Sequence, residues 1–305
     1  MSEKVYVDLQ INGYMGIDFA DPELTEEKFL VTAENILKSG TKVFLPTLVT
    51  SSRETYFRNI RLMAEAVERH GLKQNIPGVH LEGPFISSEK GAIGAHLREY
   101  VQSADCSYFD ELMERANGFI ALMTVAAELP NVTALIRHAS KQGVVVSCGH
   151  QMAGTDDLKE AARAGAKLLT HLGNGCPNQI DRHKNMIWAG MACDELAAMI
   201  ITDGHHLPDE LVKCIIRCKG VDNIIVTSDA APIAGFPPGR YNCWGNDAIL
   251  AENGRFYNPE KGCLVGSSVC MKDCAVYLEK QGFSEADIEK MTLINPLRIL
   301  GRDTI

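Results

Sequence analysis

No apolar run in this 305-residue sequence approaches the roughly 20 residues that a membrane-spanning helix requires, so insertion by such helices is excluded. A basic segment followed by an apolar stretch and a cleavage site is also lacking. The opening residues, MSEKVYVDLQ, alternate like a strand instead, and a cytoplasmic location is expected. Positive charge is in deficit: 30 Lys+Arg against 39 Asp+Glu leave a formal net charge of −9, which argues against nucleic acid or an acidic membrane as partner. A small anionic ligand then needs a local cationic pocket. There is no low-complexity tract or Pro/Gly linker, and 46% hydrophobic content supplies a large core, so disorder is excluded.

The 10 cysteines, in a chain without an export signal, read as free thiols in a reducing compartment. Cys214/Cys218 and Cys270/Cys274 are each four apart in helical patterns, but no matching metal ligands lie nearby. They are expected to fill the core as small hydrophobes.

What the chain does contain is eight strand-like apolar runs: VYVDLQI (5–11), KVFLPTL (42–48), IPGVHLE (76–82), FIALMTV (119–125), GVVVSCG (143–149), AKLLTHL (166–172), AAMIITD (197–203) and NIIVTSD (223–229). Helix-period segments separate them, such as Phe29, Leu30, Ala33, Ile36, Leu37 and Phe57, Ile60, Ala64, Val67. Eight βα units in order fit one closed (β/α)8 TIM barrel, an α/β fold, better than an open doubly wound sheet. The expectation is a single domain over 1–305, with a hairpin-like insertion at about 235–266 over the barrel mouth and a Ser-capped helix in SEADIEKMTLINPLRIL.

Polar residues gather at the carboxyl ends of these runs, where barrel active sites form: Gln10, Thr47, Glu82, His150, His171, Asp203 and Asp229. Gly83 and Pro84 turn the chain away after Glu82, so the carboxylate is expected in the mouth. A single strand-end histidine is ordinarily a hydrogen-bonded structural residue. Two imidazoles and one carboxylate from strands three, five and six instead form a set suited to zinc or another divalent first-row ion with an open position. Asp229, ending strand eight, is placed to accept a proton.

With these residues in place, the sequence resembles the amidohydrolase superfamily, and within it the N-acetylglucosamine-6-phosphate deacetylases. The resemblance rests on DLQINGYMGIDF (8–19), GVHLEGPFIS (78–87), SCGHQMAG (147–154), THLGNGCPN (170–178), TDGHHL (202–207), TSDAAPIAG (227–235) and LVGSS (264–268). It implies Glu82, His150 and His171 as metal ligands, Asp229 as acid/base, His96 polarising the acetamide carbonyl and His206 contacting the sugar. It further implies phosphate held by the turn at Asn174 and Gly175 and by Arg182 of a neighbouring subunit, hence a homodimer.

Three departures stand out. Gln10 and Asn12 replace the His-x-His that many superfamily members use for a second metal, which implies one divalent ion, zinc before iron, manganese or cobalt. Most of the family's usual β-sandwich, built from both chain ends, is expected to be missing. GNGCPNQIDRHKNMIW replaces the family's Asn-Ala-Met turn. The expected reaction is hydrolysis of N-acetylglucosamine 6-phosphate to glucosamine 6-phosphate and acetate. The alternatives are a related N-acetylated amino-sugar phosphate as substrate, or a non-catalytic barrel that only senses sugar phosphate.

Overall fold

The computed structural model describes residues 4–305, so residues 1–3 of the alternating opening segment lie outside it. Eight parallel strands follow one another around a sheet in chain order: β1 Tyr6–Ile11, β2 Thr41–Val49, β3 Val79–Glu82, β4 Ile120–Val125, β5 Val145–Cys148, β6 Leu168–Leu169, β7 Ala197–Ile201 and β8 Ile224–Thr227. Each falls within one of the eight apolar runs, extended by a residue at either end of β2.

The outer helices form where a cap and an apolar stripe coincide. In α1, Glu26–Lys38, the Thr25 hydroxyl accepts the Lys28 N–H, Glu26 and Glu27 complement the helix dipole, and Phe29, Thr32, Ala33 and Ile36 are buried. In α2, Arg53–Arg69, Ser52 caps Thr55. The buried stripe there is Tyr56, Ile60, Met63 and Val67, so the inward face is rotated from the expected one and Phe57 and Ala64 are only half-buried.

The barrel interior is graded. At its base Val7, Leu9, Val43, Leu45, Leu122, Leu168, Met199 and Ile225 form an apolar plug, closed from below by Leu297 of the C-terminal helix. Above it lies a buried chain of hydrogen bonds: His80 Nδ1 to the Leu9 carbonyl at 3.0 Å, His80 Nε2 to Thr124 Oγ1 at 2.8 Å, Thr124 to Thr170 at 2.8 Å, and Thr170 to Ser147 at 2.6 Å. Burial pushes His80 down to about 4, so it stays neutral and Nε2 accepts from Thr124. The ionisable residues sit on top of this layer.

Closure between β8 and β1 depends on few main-chain bonds, Asp229 N–H to the Gln10 carbonyl at 3.0 Å and Asn12 N–H to the Ala230 carbonyl at 2.9 Å. The buried Asp8 carboxylate completes the seam, accepting from Thr227 Oγ1 at 2.6 Å, Ser228 N at 3.2 Å, Gln10 N at 3.1 Å and the Ser228 hydroxyl.

After β8 the chain forms a four-stranded antiparallel sheet, β9 Gly239–Cys243, β10 Asn246–Leu250, β11 Phe256–Asn258 and β12 Cys263–Leu264. The expected hairpin around RFYNPEK is its second half. The first half turns at Trp244–Gly245, with φ of +50° and +70°, a two-residue turn with both central residues left-handed. Tryptophan rarely takes that conformation, so the turn carries no ordinary sequence signal.

Because Asp8 joins four donors in a buried seam, Asp8→Ala should lower the unfolding free energy by roughly 2–4 kcal/mol. Urea denaturation measures this directly, and a loss below about 1 kcal/mol would mean that the main chain alone closes the barrel.

Candidate active site

Four strand ends deliver the ionisable groups to the mouth. Glu82 is the last residue of β3, and the chain turns at Gly83, whose φ is +95° and where a Cβ would lie 2.2 Å from Thr50 Oγ1, so no side chain fits. His150, His171 and Asp229 follow β5, β6 and β8 with φ of +49°, +28° and +48°. Left-handed backbone at residues other than glycine costs of order 1–3 kcal/mol each and collects where a particular side chain must be aimed.

The result is a tight cluster. Glu82 Oε1 lies 2.9 Å from His171 Nε2 and 3.1 Å from His150 Nε2, and the two Nε2 atoms are 3.1 Å apart. All three residues are buried. His150 Nδ1–H donates to the Ala92 carbonyl at 2.8 Å, which turns the Nε2 lone pair toward Glu82. A proton can serve only one of these three contacts at a time, whereas a divalent cation satisfies all of them. Burial opposes charge on His150, but Glu82 outweighs it and raises the ring's proton affinity; the same field favours a metal cation there. Glu82 is likewise held well below the usual carboxylate range, burial opposing its charge and the neighbouring His150 and His171 rings outweighing it. The donor set therefore fits a divalent first-row metal ion.

Around the cluster, neutral amides hold the carboxylates. Gln10 Nε2 donates to Glu82 Oε1 at 2.7 Å and to Asp229 Oδ1 at 3.0 Å, and Asn12 Nδ2 donates to Asp229 Oδ1 at 2.7 Å. Both amides bond Oδ1, so Oδ2 is the Asp229 oxygen left to exchange a proton. Burial, then the charge of Glu82, pushes Asp229 up to about 7. A cation beside Glu82 reverses the second cause and draws Asp229 back toward the carboxylate.

His96 comes from the loop after β3 and its side chain is 4% exposed. Its Nδ1 accepts the Thr50 backbone N–H at 3.2 Å, so the ring proton sits on Nε2, 3.3 Å from His150 Nε2. Burial, then neighbouring His150, holds His96 down at about 3: it is a neutral N–H donor aimed at the centre. His206 is the electrostatic opposite. Burial disfavours its charge, but Asp203 Oδ2 at 2.7 Å from Nδ1 wins and raises it. Asp203 Oδ1 accepts the backbone N–H groups of His205 and His206, each at 2.9 Å, which fixes the pair.

These residues open into one cavity of about 1040 Å³, lined also by Asn174, Gly175, Tyr241, Trp244 and Arg255. The Gly175 turn passes so close to the His150 ring that a Cβ would lie 3.0 Å from Nδ1, and the Asn174 amide nitrogen is buried without a protein partner. Arg182 is not among the residues lining this cavity; it is exposed and donates to His183 Nε2 at 3.0 Å. The amides of Gln10 and Asn12 register in sequence as missing ligands rather than as carboxylate holders, whereas the insertion at about 235–266, expected over the barrel mouth, does line the cavity through Tyr241 and Trp244.

No family model matches the chain. Over 304 residues it is 31% identical to the N-acetylglucosamine-6-phosphate deacetylase of Haemophilus influenzae, covering 98% of this chain and 76% of that protein. The N-acetylgalactosamine-6-phosphate deacetylase of Escherichia coli O157:H7 is 28% identical over 98% of this chain and 78% of its own length. The structure superposes with a TM-score of 0.88 and 25% identity on a Mycobacterium smegmatis N-acetyl-D-glucosamine-6-phosphate deacetylase mutant in complex with N-acetyl-D-glucosamine-6-phosphate, covering 98% of this chain and 77% of that one. With the strand-end cluster, the barrel and full-chain similarity in agreement, the chain belongs to the N-acetylglucosamine-6-phosphate deacetylase family.

Proposed function

We propose that this protein hydrolyses the acetamide of N-acetylglucosamine 6-phosphate, releasing glucosamine 6-phosphate and acetate, in the cytoplasm as part of amino-sugar metabolism. The observation that carries this reading is the meeting, in one cavity, of the Glu82, His150, His171 cluster with a proton acceptor, Asp229, and a neutral N–H donor, His96.

Glu82, His150 and His171 would hold one divalent ion, zinc for preference, since Gln10 and Asn12 offer neutral amides already engaged by carboxylates where a second ion would need imidazoles. When bound, the ion supplies Lewis acidity toward water and the acetamide carbonyl. Asp229 Oδ2 takes the proton of the attacking water and returns it to the nitrogen as the C–N bond breaks. His96 Nε2–H donates to the acetamide oxygen as negative charge grows there. His206, kept charged by Asp203, presents its Nε2–H to the sugar. The Gly175 backbone N–H and the unpartnered Asn174 side-chain amide receive the phosphate, the Asn174 N–H being spent on the His171 carbonyl at 2.9 Å. Arg182 would complete that site from the partner of a homodimer.

The relative from E. coli O157:H7 favours one second reading, the 4-epimer N-acetylgalactosamine 6-phosphate as substrate. A non-catalytic sensor would have no use for an Asp229 oriented by two amides and left with one free oxygen.

Asp229→Asn keeps shape and most hydrogen bonding but cannot accept the proton. It should lower kcat by about 10²–10⁴-fold while metal content and substrate affinity persist. A folded, metal-loaded variant with near wild-type acetate release would move proton transfer to another residue. For Arg182→Ala, KM should rise for the phosphorylated sugar and not for N-acetylglucosamine, in a protein that sediments as a dimer. Equal effects on both sugars, or a monomer with full activity, would remove Arg182 from the phosphate site.

A further inference from the structure

Two polar groups on the cavity wall take no part in the chemistry of Asp229 and His96: the Asp18 carboxylate and the indole N–H of Trp244. Asp18 ends the short strand Ile17–Asp18, which pairs with Gly13–Tyr14 just after β1. Its Oδ1 accepts the Ala20 N–H at 2.8 Å. No lysine, arginine or histidine is paired with it among the described residues; burial, opposed by the Ala20 N–H and the nearby Trp244 indole, pushes it up to about 7. Trp244 Nε1 is itself buried, with no hydrogen-bond partner. An indole N–H can only donate and an ionised carboxylate can only accept, whereas a hydroxyl does both.

The backbone is strained where it places that indole. Trp244 has a φ of +50° and is the bulkiest of the seven described residues other than glycine with positive φ; three of the others, His150, His171 and Asp229, aim side chains into the same cavity. Such a conformation persists only where its surroundings impose it. Asn246 does so here, its Nδ2 donating to the Trp244 carbonyl at 3.1 Å and to the Ala95 carbonyl, beside His96, at 3.3 Å. On its other side the ring lies against Gly266, where a Cβ would stand 3.5 Å from Trp244 Cη2 and 3.2 Å from the Asp229 carbonyl oxygen. The indole is thereby held between the loop that carries His96 and the main chain at Asp229.

We propose that Asp18 and Trp244 together bind a ring hydroxyl next to the acetamide, Asp18 accepting from it and Trp244 Nε1–H donating to it, a role that rests on the deacetylase reading above. The order of groups around the mouth selects the hydroxyl. The Asn174–Gly175 turn follows β6, His206 follows β7, Asp229 follows β8 and Asp18 follows β1, so the pair lies beyond Asp229 from the phosphate turn. In an N-acetylhexosamine 6-phosphate the acetamide carbon stands across the ring from the carbon that bears the phosphate arm, and hydroxyl-bearing carbons flank it at C1 and C3. With the phosphate at the turn and the acetamide at the Glu82 cluster, those two hydroxyls face the Asp18 side. An amide without the hydroxyl would leave a donor and an acceptor buried and unpaired, so the pair selects amides with a neighbouring alcohol.

The test is acetate release from N-acetylglucosamine 6-phosphate and from its analogues lacking the C1 or the C3 hydroxyl, by wild type, Trp244→Phe and Asp18→Asn, each checked for melting temperature and metal content. Trp244→Phe keeps an aromatic ring and removes the N–H; Asp18→Asn keeps the shape and removes the charged acceptor. On the parent sugar kcat/KM should fall about 3- to 10-fold for Trp244→Phe and about 10- to 100-fold for Asp18→Asn. Wild type should lose activity on one of the two analogues, and on that analogue neither substitution should cost more than about 2-fold further, because the contact is already gone. Equal losses on all three sugars, or no loss on the parent, would overturn the role of the pair while wild-type acetate release left the deacetylase reading standing. A folded, metal-loaded wild type releasing acetate from none of the three would overturn both.

Discussion

Three lone-pair donors, Glu82 Oε1, His150 Nε2 and His171 Nε2, stand no more than 3.1 Å apart in a buried site, and the rest of the molecule is arranged to hold them there. Left to themselves, a buried carboxylate and two imidazole lone pairs would be poorly solvated and mutually repulsive. A cation at their centre turns that cost into coordination. The barrel makes the convergence possible by bringing the ends of β3, β5 and β6 to one mouth, and the left-handed conformations of His150 and His171 bend their side chains off the strand ends toward it.

The groups beyond the cluster divide the chemistry by controlling protonation. Thr50 fixes the His96 tautomer and burial keeps it neutral; Asp203 favours the charged form of His206. Gln10 and Asn12 occupy one oxygen of Asp229 and leave the other for proton transfer. Each arrangement is made by a hydrogen-bond partner acting on an ionisable group. A buried imidazole or carboxylate has its function set by its hydrogen-bond partner more than by its identity.

The strands were legible in the sequence because each buried strand is a continuous apolar run between turn residues, and Glu82, His150, His171 and Asp229 were legible because each closes such a run. Other parts were hidden for physical reasons. The inward face of α2 was misread because Phe57 and Ala64 are apolar yet half-buried, while Tyr56 and Met63 complete the stripe. The first half of the β9–β12 sheet escaped because Trp244 takes a left-handed turn position normally given to glycine or asparagine. Arg182 was legible only through family resemblance, and its own chain leaves it exposed and away from the cavity.

The proposed chemistry depends on a cation at the centre of Glu82, His150 and His171. Anomalous diffraction from crystals of the protein, recorded across the absorption edges of first-row metals, tests this directly. One peak per chain among Glu82 Oε1, His150 Nε2 and His171 Nε2, absent in Glu82→Gln, is the predicted result. An active wild-type protein with no peak there, or with its peak elsewhere in the chain, would contradict it.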